Sequence, residues 1–136
     1  MKKKLTLIVV LTLVVSTLLM ACGSKKTLED IVKAEDNYEQ EIENVCNQIV
    51  ASSNGQYRDA DVDITGNTAT YCFYFNDIGM TDDQIKTLLE QQDFSSVCDD
   101  FRDSFKNEEG VDADAIKIVV KFFSVTDSLI FSYTND

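Results

Sequence analysis

The 136-residue sequence lacks histidine, proline and tryptophan, and it contains only five glycines and four cysteines. Histidine is the side chain that titrates near neutral pH, so its absence excludes Ser-His-Asp and Cys-His catalysis, histidine-ligated zinc and histidine-based pH switches. A reaction catalysed by this chain would have to use carboxylates, lysine, tyrosine or thiols. The sequence itself points to no such reaction, so we expect neither an enzyme nor a cofactor.

The N-terminal segment, residues 1–21, is typical of a signal peptide. Lys2, Lys3 and Lys4 form a positively charged start, and residues 5–19 form an uncharged, largely apolar run of fifteen. A helix of that length rises about 22 Å, which is less than the ~30 Å hydrocarbon core of a bilayer. This shortfall argues against a permanent transmembrane span.

The tetrapeptide Leu19-Met20-Ala21-Cys22 resembles the lipobox of bacterial lipoprotein precursors. In such precursors the cysteine sulfur receives a diacylglyceryl group before the chain is cleaved in front of that cysteine. The resemblance implies cleavage between Ala21 and Cys22, lipidation of Cys22 with palmitate-type acyl chains, and a lipoprotein held at the outer, extracytoplasmic face of the cell membrane. The alternatives are an ordinary secretory signal that ends near a cysteine, or an uncleaved anchor.

Cleavage changes the size and the charge of the chain. It would remove three of the 12 basic side chains and leave 115 residues with nine basic and 24 acidic side chains, a formal charge of −15. We expect a short linker over residues 22–26 and one domain over residues 27–136, which is long enough to form a core. Nucleic acid and anionic bilayers repel such an acidic domain, so we expect no nucleic-acid binding.

The mature sequence begins with a helical pattern. Thr27 is suited to act as the N-cap, and acidic residues follow in the first turn. An apolar stripe at helical spacing comprises Leu28, Ile31, Tyr38, Ile42, Val45 and Ile49. The stripe predicts one long helix from Thr27 to about Ala51, ended by the polar and glycine-containing residues 52–55.

A β-hairpin is predicted next, with Gly66-Asn67 as its two-residue turn. Pairing Thr65 with Thr68 brings the apolar side chains onto one face. The expected pairs are Ile64 with Ala69, Val62 with Tyr71, and Ala60 with Phe73. The other face then carries Asp59, Asp61 and Asp63 beside Thr70, Cys72 and Tyr74.

Residues 81–107 are predicted to be helical but cannot form one straight amphipathic helix. Ile85, Leu88 and Leu89 define one apolar face, whereas the residues from Phe94 onward define a nearly opposite one. We therefore expect a kink or break near Gln92 and Asp93. A second hairpin follows, with strands at about 116–123 and 129–133.

The predicted fold class is α+β, with the element order α-β-β-α-β-β. Because the connections are short, we expect one antiparallel four-stranded sheet with the helices on one face. Three stretches of this pattern are Thr27-Leu28-Glu29-Asp30, residues 62–68 and Val119-Val120-Lys121-Phe122. They resemble a family of small lipoproteins of Gram-positive, clostridial-type bacteria that is classed as a domain of unknown function. This resemblance implies a location and a fold, and no activity.

Two weak sites are suggested by the residues themselves. Asp59, Asp61 and Asp63 alternate along one strand, so their carboxylates repel each other and a Ca²⁺ ion would relieve the repulsion. A flat strand offers too few oxygens for calcium, and the alternative is a solvated face or a charged sheet edge. Cys46 and Cys98 are a candidate disulfide pair, and the alternative is a set of half-buried thiols that includes Cys72.

Two functions from different classes follow. The first is a lipid-anchored binding or interaction module at the cell surface, whose partner is an envelope protein or a small ligand. It would use an exposed patch drawn from an excess of aromatic residues, namely Tyr57, Tyr74, Phe75, Phe123, Phe131 and Tyr133. The second is a carboxylate-based or metal-dependent hydrolase of envelope material, which requires two carboxylates in a partly desolvated cleft.

Overall fold

The structure, a computed structural model, describes residues 27–34, 36–106 and 111–135. The signal peptide 1–21, the lipidation site Cys22 and the linker 22–26 lie outside the described residues. The elements in chain order are α1 Leu28–Lys33, α2 Tyr38–Ser52, β1 Tyr57–Thr65, β2 Thr68–Phe75, α3 Asp82–Glu90, α4 Phe94–Asp103, a 3-10 turn Ala113–Ala115, β3 Lys117–Phe123 and β4 Leu129–Asn135.

The first helical segment is two helices, so the prediction of one long helix was wrong. Its start is confirmed, because Thr27 and Asp30 cap each other's backbone N–H groups at 3.2 and 3.1 Å. Helix α1 is then fixed by the β1–β2 turn: the Glu29 N–H donates to the Gly66 carbonyl, and the Leu28 N–H donates to the Asn67 side chain. These tertiary bonds orient α1 separately from α2, which packs on β1.

The second helical segment breaks where the change of apolar face predicts. Helix α3 ends at Glu90 and α4 begins at Phe94. Asp93 is the N-cap of α4, and its Oδ1 accepts a hydrogen bond from the Ser96 N–H at 3.1 Å. The break lets both apolar faces meet the same side of the sheet. The element order is therefore α-α-β-β-α-α-β-β, and not α-β-β-α-β-β.

The sheet has the strand order β1-β2-β3-β4, and its central pair is parallel. The predicted register of the first hairpin is confirmed, from Thr65 opposite Thr68 to Ala60 opposite Phe73. The prediction of a fully antiparallel sheet was wrong, because β3 runs alongside β2 with Thr68 opposite Lys117. Helices α3 and α4 form a crossover connection that returns the chain to the start of β2, and such crossovers join parallel strands.

One face of the sheet forms the core with the helices. Its central residues are almost completely buried, and they include Val62, Tyr71, Phe73, Val120 and Phe122, each no more than 5% exposed. The Phe122 ring stacks on Phe73 with a centroid distance of 5.0 Å. It also contacts Phe94 of α4 at 5.7 Å. The helices of both halves therefore cover the same face, and the side chains of the other face point away from them.

The parallel register can be tested with a thiol that the chain already has. Cys72 on β2 lies opposite Lys121 on β3. Neighbouring strands lie about 4.8 Å apart, within the Cα separation that a disulfide spans. We expect Lys121→Cys to form a disulfide with Cys72 under mild oxidation, detected by mass spectrometry of an unreduced digest.

The control variant for this experiment is Ser132→Cys. Ser132 lies opposite Lys121 on β4, two strands from Cys72, a separation of about 10 Å that forbids a bridge to it. A fully antiparallel arrangement of the strands would leave Lys121→Cys without the Cys72 bridge, which would contradict the structure.

Candidate interaction surface

The second face of the sheet, here called the open face, is formed by alternate residues of all four strands. None of its residues is buried. They are Asp59, Asp61 and Asp63 on β1, Thr70, Cys72 and Tyr74 on β2, Val119, Lys121 and Phe123 on β3, and Leu129, Ser132 and Thr134 on β4. The open face is thus a continuous surface that mixes acidic, aromatic and small polar side chains.

An ordered aromatic row crosses one end of the open face. Tyr74 and Phe123 stack with their ring centroids 4.9 Å apart and their planes 13° from parallel. Leu129 flanks the two rings on β4 and is 56% exposed. Stacked rings held by two neighbouring strands lose little freedom on binding. The two rings of Tyr74 and Phe123, here called the aromatic row, and the flanking Leu129 are therefore suited to contact a partner.

Arg58 fixes this end of the sheet, although the sequence pattern did not single it out. Its guanidinium carbon lies 5.4 Å from the centre of the Tyr74 ring, on which it makes a cation–π contact. It also donates hydrogen bonds to the carbonyls of Phe75 and Ser124, and it pairs with Asp127 in the β3–β4 turn. The β1 register shifts between Tyr57 and Asp59, and a local irregularity of this kind has no simple signature in sequence.

Two acidic side chains of β1 accept hydrogen bonds from the backbone of their own strand. In the register of the hairpin, the backbone N–H groups of Ala60 and Val62 point away from β2, toward the free edge of the sheet. Each receives a cap from the preceding side chain: Asp59 Oδ1 accepts from Ala60 at 2.9 Å, and Asp61 Oδ1 accepts from Val62 at 2.9 Å. These carboxylates therefore protect an edge strand.

The calcium hypothesis for Asp59, Asp61 and Asp63 receives no geometric support. Two of the carboxylates accept hydrogen bonds from the backbone, and the third accepts from the Thr65 hydroxyl at 3.0 Å. Over the described ranges, no group of three or more His, Cys, Asp or Glu side chains is placed to hold a metal ion.

The three cysteines of the domain are free thiols in the structure, so the Cys46–Cys98 bridge is not formed there. Burial raises the pKa of Cys46 and of Cys98 to about 11. Burial, followed by the charge of Asp61, also raises the pKa of Cys72. Thiols with raised pKa values are mostly protonated at neutral pH and are poor nucleophiles. The raised pKa values of these three thiols argue against thiol-based catalysis.

The carboxylate-based hydrolase requires a desolvated acid and base in one cleft. A cavity of about 740 Å³ lies at the α1–α2 junction, but it is wide open, and its acidic residues Asp36, Glu39 and Glu43 are exposed. Elsewhere, Lys33 and the Gly66 N–H lower the pKa of Glu29, and hydrogen bonds from Ser96 lower the pKa of Asp93. A general acid needs a shift in the opposite direction. The described residues give this alternative no site.

The predicted excess of aromatic residues divides between core and surface. Tyr57 and Phe75 are buried in the core at 1% and 0% exposure. Phe131 and Tyr133 are half-buried against Phe94 of α4. Tyr74 and Phe123 lie on the open face. The alternation of apolar and polar residues along each strand predicts this face for both of them. The strand order that places them side by side depends on the crossover through α3 and α4.

Comparison of the chain with models of known families, with curated proteins and with solved structures finds no match. The resemblance to clostridial-type lipoproteins therefore stays a prediction. In the part of the chain that the structure describes, none of the helices has both the length and the apolar character needed to cross a membrane.

The Asp59 and Asp61 caps on the β1 edge predict that the protein self-associates more strongly when these side chains are removed. We expect Asp59→Ala combined with Asp61→Ala to increase self-association, because the outward N–H group of Ala60 loses its cap and that of Val62 keeps only the Cys46 thiol of α2. Sedimentation velocity would show a shift to larger species.

The matched control replaces the same two residues with asparagine. Asp59→Asn with Asp61→Asn removes the same two charges but keeps an oxygen acceptor at each position. If the asparagine variant associates as strongly as the alanine variant, the lost charge and not the lost cap would explain the effect.

Proposed function

We propose that the chain is a lipid-anchored, extracytoplasmic binding protein whose open face holds a positively charged segment of a partner protein. One observation carries the proposal. Over residues 27–34, 36–106 and 111–135, the helices cover one face of the sheet, and the other face combines a rigid aromatic row with a line of three carboxylates. A surface of this kind offers contacts to a partner and lacks the enclosed cleft that catalysis on carboxylates requires.

The charge of the open face favours a cationic partner. Asp59, Asp61 and Asp63 lie about 7 Å apart along β1 and place three negative charges on one side of the face. Lys121 is the cationic member of the twelve residues. The formal charge of −15 expected for the mature chain adds a long-range attraction for positively charged segments and a repulsion of acidic ones.

The position of the chain entry agrees with a membrane anchor. Helix α1 lies in the helix layer, where Leu28 and Val32 belong to the core. The lipobox residue Cys22 precedes this helix by only a few residues. The anchor would therefore attach on the helix side of the sheet, and the open face would lie on the opposite side, where a partner has access to it.

The lipid anchor is tested at Cys22. We expect Cys22→Ala to abolish incorporation of labelled palmitate and to leave the precursor uncleaved, because the sulfur that accepts the diacylglyceryl group is lost. Gel mobility and metabolic labelling of the full chain measure both effects, and Cys72→Ala is the control that retains lipidation. Mature, membrane-bound protein from the Cys22→Ala variant would refute the lipobox assignment.

The binding surface is tested with two synthetic peptides, one of alternating lysine and tyrosine and one of alternating glutamate and tyrosine. We expect the full chain to bind only the lysine peptide, more weakly as salt increases. Tyr74→Ser with Phe123→Ser should lower the affinity about tenfold or more, as expected for central aromatic contacts. Fluorescence anisotropy measures both effects.

Tyr133→Ser is the matched control, since Tyr133 is a half-buried tyrosine whose ring packs against Phe94 of α4 on the helix-covered face of the sheet. Equal binding of the two peptides, or an equal loss of affinity in the control variant, would contradict the proposal.

A further inference from the structure

The two edges of the sheet are built differently. Strand β1 has carboxylate caps on its outward N–H groups, as described above. Strand β4 forms the other edge, and its sequence, LIFSYTN, contains no charged residue and no proline. Natural edge strands are usually blocked by charges, proline or bulges along their length. The described part of β4 carries a bulge at its start, opposite Phe122 and Phe123, and at its end the Arg102 guanidinium donates to the carbonyl and side chain of Asn135. The residues between these two ends carry neither a bulge nor a charge.

The exposed apolar side chains lie near this same edge. Among the described residues, the large hydrophobic side chains that remain exposed are Val125 and Leu129, at 52% and 56%. Val125 is in the β3–β4 turn and Leu129 begins β4. Further along β4, Phe131 and Tyr133 are only half-buried, although both contact Phe94 at centroid distances of 5.8 and 5.5 Å. An uncharged strand with unburied apolar groups is suited to pair with another strand.

We propose that β4 pairs with β4 of a second copy of this chain, antiparallel and about a two-fold axis through Ser132. Ser132 is the middle residue of Leu129–Asn135, so this register alone pairs all seven residues of both strands. It places Phe131 of each copy opposite Tyr133 of the other, an aromatic cross-strand pair. The two sheets then form one continuous sheet of eight strands.

The chemistry of the edge favours a second copy over a different partner. Two identical antiparallel strands are self-complementary. The two-fold axis makes their contacts equivalent, so every N–H group of one copy that donates to a carbonyl of the other has a symmetry-related bond in the opposite direction. β4 carries no charged side chain with which to select a charged peptide, and for the same reason its pairing brings no like charges into contact, although each copy is acidic overall. The proposed cationic partner contacts side chains of the open face, whereas the second copy pairs with the backbone of β4, and Leu129 and Ser132 belong to both surfaces.

The blocked β1 edge explains why such pairing would stop at two copies. If both edges accepted strands, further copies would add to the free edges of each pair without limit. The caps that Asp59 and Asp61 place on Ala60 and Val62 remove one of the two edges. A sheet with one open and one blocked edge forms a closed pair.

Cysteine cross-linking of the full chain in its membrane tests the pairing. With the axis through Ser132, the two copies of this residue are directly opposite at a Cα separation of about 5 Å, which a disulfide spans. We expect Ser132→Cys to yield a covalent dimer on a non-reducing gel under mild oxidation. Asp63→Cys, an exposed position on the β1 edge, is the matched control and should stay monomeric, as should the unsubstituted chain.

A second variant tests the same pairing without a thiol. Ser132→Lys places two like charges directly opposite each other across the axis, which disfavours strand pairing. We expect co-purification of two differently tagged full chains to be lost in Ser132→Lys and retained in Ser132→Thr. Absence of a Ser132→Cys dimer, cross-linking of that residue to a different protein, or undiminished co-purification of Ser132→Lys would each overturn the proposal.

Discussion

The parallel pairing of β2 with β3 is the interaction on which the rest of the structure depends. It joins two halves of the chain, each of which consists of two helices followed by a hairpin. A two-stranded hairpin is at best marginally stable alone, whereas four strands with one buried face support a core. The side chains that meet at this pairing, Tyr71 and Phe73 with Val120 and Phe122, are all fully buried.

The same pairing determines the shape of the surface. Helices α1 and α2 cover β1 and β2, and α3 and α4 reach β4, so all four lie on one side of the sheet. The alternate side chains are left on the other side, where Tyr74 of the first half stacks on Phe123 of the second. The aromatic row therefore exists only because the two halves are joined in parallel register. The function we propose depends on this consequence of topology.

Local features of this fold were predictable from sequence. Strict alternation around Gly66-Asn67 specifies both the register of the first hairpin and the face of each side chain, because a shift by one residue would expose its apolar set. The break at Asp93 follows from two apolar faces that one straight helix cannot bury together. The acidic line on β1 was identified, although its role in capping the edge depends on distances within the strand.

Features that depend on contacts between distant residues were not predictable in this way. The separation of α1 from α2 depends on bonds from Leu28 and Glu29 to a turn almost forty residues later. The parallel pair depends on the path of the chain through α3 and α4, which an alternation pattern does not encode. Arg58 connects β1, β2 and the last turn, and nothing in its immediate sequence indicates those partners.

In the lipid-anchored pair that we propose, the entry of α1 on the helix side, beside the β1–β2 turn, determines how the sheet lies relative to the membrane. A two-fold axis normal to the sheet puts the two entry points at opposite ends of the strands but on the same side of the sheet. The chain from Cys22 to Thr27 spans five Cα–Cα steps and reaches at most about 18 Å. Both lipids meet one bilayer only if the eight strands lie flat above it, with the helices beneath them. The two open faces would then both point away from the membrane and form one continuous surface.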